Sequence, residues 1–151
     1  MKYKQFTSDE GWFTITITIP YHWERFEDEE GTYLFNDTEQ WKGNFRITPI
    51  KLESEDNSRI NNFASNYLAK ELNKDKEYKK VRIGEYDCVY YQKNIVQDGE
   101  ELIIQYWKTG KKNSIFICSF TIDKAKRLQP EILSEIKIVK QVIASIKINQ
   151  T

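Results

Sequence analysis

Histidine, cysteine, methionine and proline are scarce in this 151-residue chain, which holds one, two, one and three of them. Each shortage excludes a chemistry. A single imidazole, His22, cannot build a histidine-rich metal site, and Cys88 and Cys118 fit neither a zinc motif nor a Cys-x-x-Cys redox pair. Six glycines form no phosphate-cradling loop. The same counts remove collagen-like, low-complexity and disulfide-scaffold classes. The acidic run 27–30 lacks the alternating Asp/Asn ligands and central glycine of an EF-hand loop. No apolar run reaches the roughly 18 residues that span a bilayer. Met1-Lys2-Tyr3-Lys4-Gln5 lacks the apolar stretch of a secretory signal. The expectation is a cytoplasmic chain that does not bind membranes, metals or cofactors and is not an enzyme. His22 has no serine or cysteine beside it in local spacing, so no catalytic residue is assigned.

Charge of one sign is also missing overall, since 23 Lys and Arg balance 23 Asp and Glu, with a pI of about 6.6. A nucleic-acid binder gathers bases on one face, so no nucleic-acid role is expected. Residues 1–60 carry a net charge of −5 and residues 61–151 a net charge of +5. An acidic run, Glu24 to Glu30, and a basic one containing Lys70, Lys74, Lys76, Lys79, Lys80 and Arg82 read as solvated connections.

What remains has the size and makeup of one domain, residues 1–151, able to bury about 70% of its unfolded surface. Phe13-Thr14-Ile15-Thr16-Ile17-Thr18-Ile19 alternates strictly and is the clearest strand. Tyr3 to Thr7 is its hairpin partner through Ser8-Asp9-Glu10-Gly11, and Pro20 stops the ladder. Thr32 to Asn36 and Lys42 to Ile50 are two more strands, the second reaching an edge or bend at Pro49. Ile60, Phe63, Ala64, Tyr67 and Leu68 then mark a helix over about 57–72, with Asp56 or Ser58 as its cap.

Asp87 to Gln97, Glu100 to Lys108 and Ser114 to Ile122 read as a three-stranded meander, turning at Asp98-Gly99 and at a loop containing Gly110. A two-residue first turn sets Ile95 opposite Leu102, Lys93 opposite Ile104 and Tyr91 opposite Tyr106. A three-residue loop at Gly110 to Lys112 then brings Phe116 beside Tyr106, Cys118 beside Ile104 and Phe120 beside Leu102. In that register Cys88 and Cys118 project from opposite faces, about 16 Å apart along the strands, beyond the roughly 7 Å a disulfide tolerates. They are expected to be two small buried residues. Pro130 opens a last helix with a stripe of Ile132, Leu133, Ile136, Val139 and Ile143, and Ile146-Lys147-Ile148 returns as a strand. The fold class is α+β, an antiparallel sheet with helices packed on its faces.

The opening Gly11-Trp12-Phe13-Thr14-Ile15-Thr16-Ile17-Thr18-Ile19-Pro20-Tyr21-His22-Trp23, followed by strands, a helix, a meander and a C-terminal helix, resembles the PsbP-like superfamily, the DcrB/PsbP-type domains, as a bacterial member. The resemblance covers essentially the whole chain. It implies an α/β/α sandwich and a module that binds a protein, as an adaptor, chaperone or immunity-type factor. The 21 Phe, Trp and Tyr residues are unusually many. Phe13, Phe63, Tyr91, Phe116 and Phe120 fall on inferred core faces. Trp23, Trp41, Tyr90 and Trp107 fall in loops or on the more polar sheet face, as candidates either to cover the sheet or to line a groove for a protein partner's apolar segment. The alternative is a small-ligand or carbohydrate site built from the same rings.

Overall fold

The computed structural model of the chain describes residues 1–9, 13–51, 63–112 and 114–150. In chain order the elements are β1 (Tyr3–Asp9), β2 (Phe13–Pro20), β3 (Trp23–Phe26), β4 (Tyr33–Asp37), β5 (Asn44–Lys51) and α1 (Phe63–Leu72). They continue with β6 (Lys79–Ile83), β7 (Tyr86–Gln97), β8 (Glu100–Lys111), β9 (Ser114–Asp123), α2 (Pro130–Ser145) and β10 (Lys147–Gln150). Seven strands form one antiparallel sheet in the order β3-β4-β5-β9-β8-β7-β6, and a smaller sheet has the order β1-β2-β10. The expected class, α+β with helices on sheet faces, is the one observed. The opening hairpin makes a sheet of its own with β10 instead of extending the meander.

The alternation of β2 has the consequence read from it. Phe13, Ile15, Ile17 and Ile19 are buried, and they join Val139, Val142 and Ile143 of α2 in one cluster against the inner face of the large sheet. That inner face carries Phe35, Phe45, Ile47, Trp107, Phe116, Cys118 and Phe120. Phe6 of β1 closes one side, edge-on to Tyr33 and Phe35 at 5.5 and 5.1 Å. Where β2 outruns β10, the Ser145 hydroxyl takes the missing strand's place by accepting from the Thr18 amide at 3.0 Å. Pro130 sits in the first turn of α2, as its lack of an N–H favours.

The meander departs from expectation at one point, with large effect. Asp98 and Gly99 form a two-residue turn with φ of 53° and 80°, and Tyr91 pairs with Tyr106 as expected. At the other end β8 runs on through Gly110 to Lys111, which pairs with Ser114, so only residues 112–113 connect the strands. Lys112 takes φ of 60° to make this turn. Cys118 therefore lies opposite Trp107, Phe116 opposite Thr109 and Phe120 opposite Gln105. The offset from the three-residue loop is odd, and an odd slip sends every side chain to the other face. Phe116 consequently leaves Tyr106 and packs edge-on against Tyr86 at 5.2 Å. Cys88 and Cys118 share the inner face instead of opposing ones, yet both are buried and free. Burial pushes the Cys88 thiol up to about 11 and also holds the Cys118 thiol well above its ordinary value.

Two charged runs read as connections contain edge strands. Trp23–Phe26 pairs with β4, and Lys79–Ile83 pairs with β7. Charge at a sheet edge discourages pairing with another chain. Pro49 faces Phe116 of β9 beyond the last β4 pair, Tyr33 with Ile47, so its missing N–H costs the ladder nothing there. The start of the first helix and the turn at residues 10–11 lie outside the described residues.

Gly110 permits the short β8–β9 turn, because a Cβ there would strike the Ser114 carbonyl oxygen and come within 3.0 Å of the Ile115 Cα. Gly110→Ala is expected to cost about 2–3 kcal/mol in urea melts, as overpacking against backbone does. A loss below about 0.5 kcal/mol, the level of an ordinary surface change, would mean that the strands are not held at this separation.

Candidate functional site

The inner face of the large sheet is engaged in the core over most of its length, apart from Gln92, Asn94 and Val96 of β7 and a cleft of about 400 Å3 where Tyr86, Ser114 and Phe116 meet β10, so the outer face is the less covered of the two. α1 covers one end of it, over β7, β8 and β9. Its docking is polar as well as apolar. Ala64 is buried and its amide donates to the Lys112 carbonyl at 2.8 Å. In the last turn of the helix, Glu71 is only 4% exposed and accepts from Lys108 of β8 at 3.1 Å and Lys74 at 2.7 Å. Burial alone would raise the Glu71 carboxyl, but these two ammonium groups outweigh it and hold the pKa below the ordinary 4.5. Burial likewise works to lower Lys108, and the Glu71 carboxylate and Tyr91 hydroxyl overcome it, pushing Lys108 up to about 12.

Beyond α1 the outer face presents one cross-strand row. Tyr78, just before β6, stacks on Tyr91 at 4.1 Å and 8°, and Tyr91 stacks on Tyr106 at 4.7 Å and 16°. The pairing carries the row onward from Tyr106 to Ser119, Arg46, Leu34 and Phe26. Lys93 Nζ is 5.8 and 5.9 Å from the Tyr91 and Tyr106 centroids, and so sits over the seam between the rings. The Tyr106 face toward β9 is left without a ring neighbour in that row, because the next position is Ser119.

Small side chains at Ser119 and Thr121 make the central strand the floor of a trough of about 410 Å3. Tyr106 and Ile104 of β8 form one wall, Arg46 and Asn44 of β5 the other, and Leu102 and Ile95 extend it toward the Asp98 turn. Arg46 Nε donates to Asp28 at 2.8 Å, which fixes the guanidinium. Trp41, 46% exposed, stands at the rim with its indole N–H donating to Asn44 at 2.9 Å.

Of the four aromatic candidates, only Trp41 lies at this trough. Trp23 and Trp107 are core residues, 2% and 1% exposed, with Trp23 packed on Phe45 at 5.7 Å and hydrogen-bonded to the buried Glu135. Tyr90 is half-buried on the inner side against Trp107 at 5.4 Å. The four do not form one exposed patch. Tyr106, Arg46, Ser119 and Thr121 went unrecognised because the three-residue loop put Phe116 beside Tyr106. The signal available was the outward half of β9, which turns polar at Ser119, Thr121 and Asp123. His22 is exposed in a turn with Nδ1 3.2 Å from Glu39 Oε1. Among the described residues no three His, Cys, Asp or Glu gather as a metal site, and no helix is long and apolar enough to cross a membrane.

The profile of one protein family, described as Domain of unknown function (DUF3805), matches residues 1–151. A crystal structure from Bacteroides thetaiotaomicron VPI-5482 is 30% identical with a TM-score of 0.79, over 99% of this chain and 50% of that one. This chain therefore spans half the length of that relative. Cyanobacterial PsbP (CyanoP) from Synechocystis sp. PCC 6803 matches at 7% identity and TM-score 0.47, over 97% of this chain and 92% of its own. LpqN, involved in cell envelope biogenesis of Mycobacterium tuberculosis, matches at 13% and 0.49, over 99% and 92%. The α+β class rests on the elements described above. Among curated proteins, none matches this sequence.

The Glu71 pair under α1 gives a pH signature. A carboxylate with a lowered folded pKa adds stability that is present above its ordinary value, 4.5, and is lost as pH falls through the folded value. Glu71→Gln is expected to cost about 2–3 kcal/mol at pH 7, and the gap to the parent should narrow once the pH is taken well below 4.5. Equal gaps at both pH values in urea melts would show that the charge plays no part.

Proposed function

The chain belongs to the DUF3805 family, and we propose that it is a non-catalytic module that binds a protein partner through the trough on the outer face of its large sheet. The observation that carries this reading is the division of that sheet. Most of its inner face is covered by α2 and the small sheet, whereas only the α1 end of its outer face is covered by described residues. The uncovered part offers Ile95, Leu102, Ile104 and Tyr106 beside an exposed tryptophan, the aromatic and aliphatic mixture that anchors protein interfaces. We place the module in the cytoplasm, where two unpaired buried thiols suit a reducing compartment. Nucleic acid and membrane are not its partners in this reading, since the trough rim is acidic at Asp28, Glu29 and Glu100.

A small-ligand or carbohydrate site is the second reading, favoured because Tyr106 and Trp41 border the same trough. Photo-crosslinking in the native cell separates the two. A photoreactive residue at Gln97, beside the trough, should give a discrete protein adduct that Ile104→Glu removes. The same residue at Gln5, on the outer side of the small sheet, should give none. Matching background at both positions would rule out a protein partner at this face, and saturable tryptophan quenching by a sugar or metabolite would then favour the second reading.

A further inference from the structure

The outer row of the large sheet runs Tyr91, Tyr106, Ser119, Arg46, Leu34, Phe26 in register across six of the seven strands, with Tyr78, just before β6, stacked on its Tyr91 end. Every position in it is large except Ser119 on the central strand. Neighbouring strands lie about 4.8 Å apart, so the Tyr106 and Arg46 walls stand about 9.6 Å apart over that serine. A flat ring in contact with a wall on each side needs about 7–8 Å. The three tyrosines already stack at 4.1 and 4.7 Å, so the row is a ladder of rings with one rung missing and a guanidinium facing the gap.

We propose that this gap is a slot for a single aromatic side chain of the protein partner, carried on a segment with Lys or Arg beside it. The proposal rests on the protein-binding reading above and names the chemistry of its partner. Arg46 suits the far wall because a guanidinium lies flat against aromatic faces, and Asp28 holds it in place. Ser119 and Thr121 give the floor hydroxyl groups, and Ile117, the next outward residue of β9, pairs with Lys108, which Glu71 of α1 binds.

Charge selects the flanks of the segment. Asp28, Glu29 and Glu100 line the trough against one cation, Arg46, which is itself paired. The lining is thus net negative and disfavours a phosphorylated or acidic ligand while attracting a basic one. Shape selects a polypeptide. A small-molecule site encloses about 70–90% of its ligand, whereas this slot has a floor and two walls and continues along Ile104 and Leu102 as an open channel. The chain's own residues 52–62 carry three acids, one arginine and no aromatic ring, the wrong chemistry for the slot.

The test uses the full 151-residue chain, isotope-labelled, with acetyl-Lys-Trp-Lys-amide as probe and acetyl-Glu-Trp-Glu-amide, acetyl-Lys-Leu-Lys-amide and adenosine as comparisons. The first peptide should shift the Tyr106, Ser119 and Thr121 amide signals saturably, at least tenfold more tightly than the other two peptides, and more weakly as salt is raised. Ser119→Leu, which fills the slot, and Tyr106→Leu, which keeps bulk but removes the ring face, should each lose at least tenfold. The second variant covers the case in which the first does not fold. Equal binding by the leucine or glutamate peptide, or shifts confined to other surfaces, would overturn the slot. Binding of adenosine alone would overturn the polypeptide source. A Gln97 crosslink that persists in folded Ser119→Leu would sink the slot while leaving the protein-binding reading intact. Loss of that crosslink together with the peptide shifts is the result the proposal requires.

Discussion

A strand in the middle of a sheet has two sides and can give only alternate residues to each, and β9 is the fourth of seven strands. Phe116, Cys118, Phe120 and Ile122 go inward and are 2% exposed or less. Ile115, Ile117, Ser119 and Thr121 must then go outward. Ile115 and Ile117 fall where α1 packs, and the two hydroxyl residues fall beyond it. The core and the trough are two consequences of one register. Reversing it would bury Ser119 and Thr121 against α2 and the small sheet and turn Phe120 and Ile122 to the uncovered part of the outer face. The hydroxyl groups would need partners, and exposing those two apolar side chains would remove about 1.5–3 kcal/mol each.

The polar docking of α1 follows from the same geometry. Ten described residues are too few to hold a helix by propensity alone, and the helix buries only Ala64 and Glu71 fully. Glu71 reaching Lys108 ties the helix to the central part of the sheet by direction as well as by contact. A buried ion pair contributes little net stability against an apolar pair of equal volume, but it tolerates no rotation of the helix about its axis. Glu135 on α2 plays a comparable part on the other face, where burial raises its carboxyl and Trp23 donates to it. That contact satisfies the one polar atom of an otherwise apolar ring.

Much of the architecture was legible because burial on one face writes itself as alternation. β2, the helix α2 with its Pro130 start, and the Asp98-Gly99 turn each carry a local signal that tertiary packing does not contradict. The β8–β9 turn does not. Lys112 makes it with φ of 60°, a conformation usually read from glycine or asparagine, and the nearby Gly110 drew attention to the wrong residue. Gly110 is used for close approach of backbone, not for turning. The edge strands β3 and β6 were hidden for another reason: their charges protect the edge, and the same charges look like loop. The trough depends on the turn and on partners from β5 and β8, so no stretch of sequence displays it.

The unusual number of aromatic rings resolves into two populations by what their polar atoms need. Phe35, Phe45, Phe116 and Phe120 have none and go inside. Tyr33 and Tyr86 go inside too, each with a hydroxyl partner, Ser8 and the Ile146 carbonyl. Tyr78, Tyr91 and Tyr106 stand on the outer face, stacked face to face with lysines above them and with Tyr91, 5% exposed, buried between the other two. Stacking of that kind protects ring faces from water in pairs, so a ladder always leaves one face at each end. At the Tyr106 end the remaining face meets neither a ring nor an aliphatic chain in its row, but a serine. An exposed ring face above a small residue is a standing cost in water, and it is removed when another flat group takes the vacant rung.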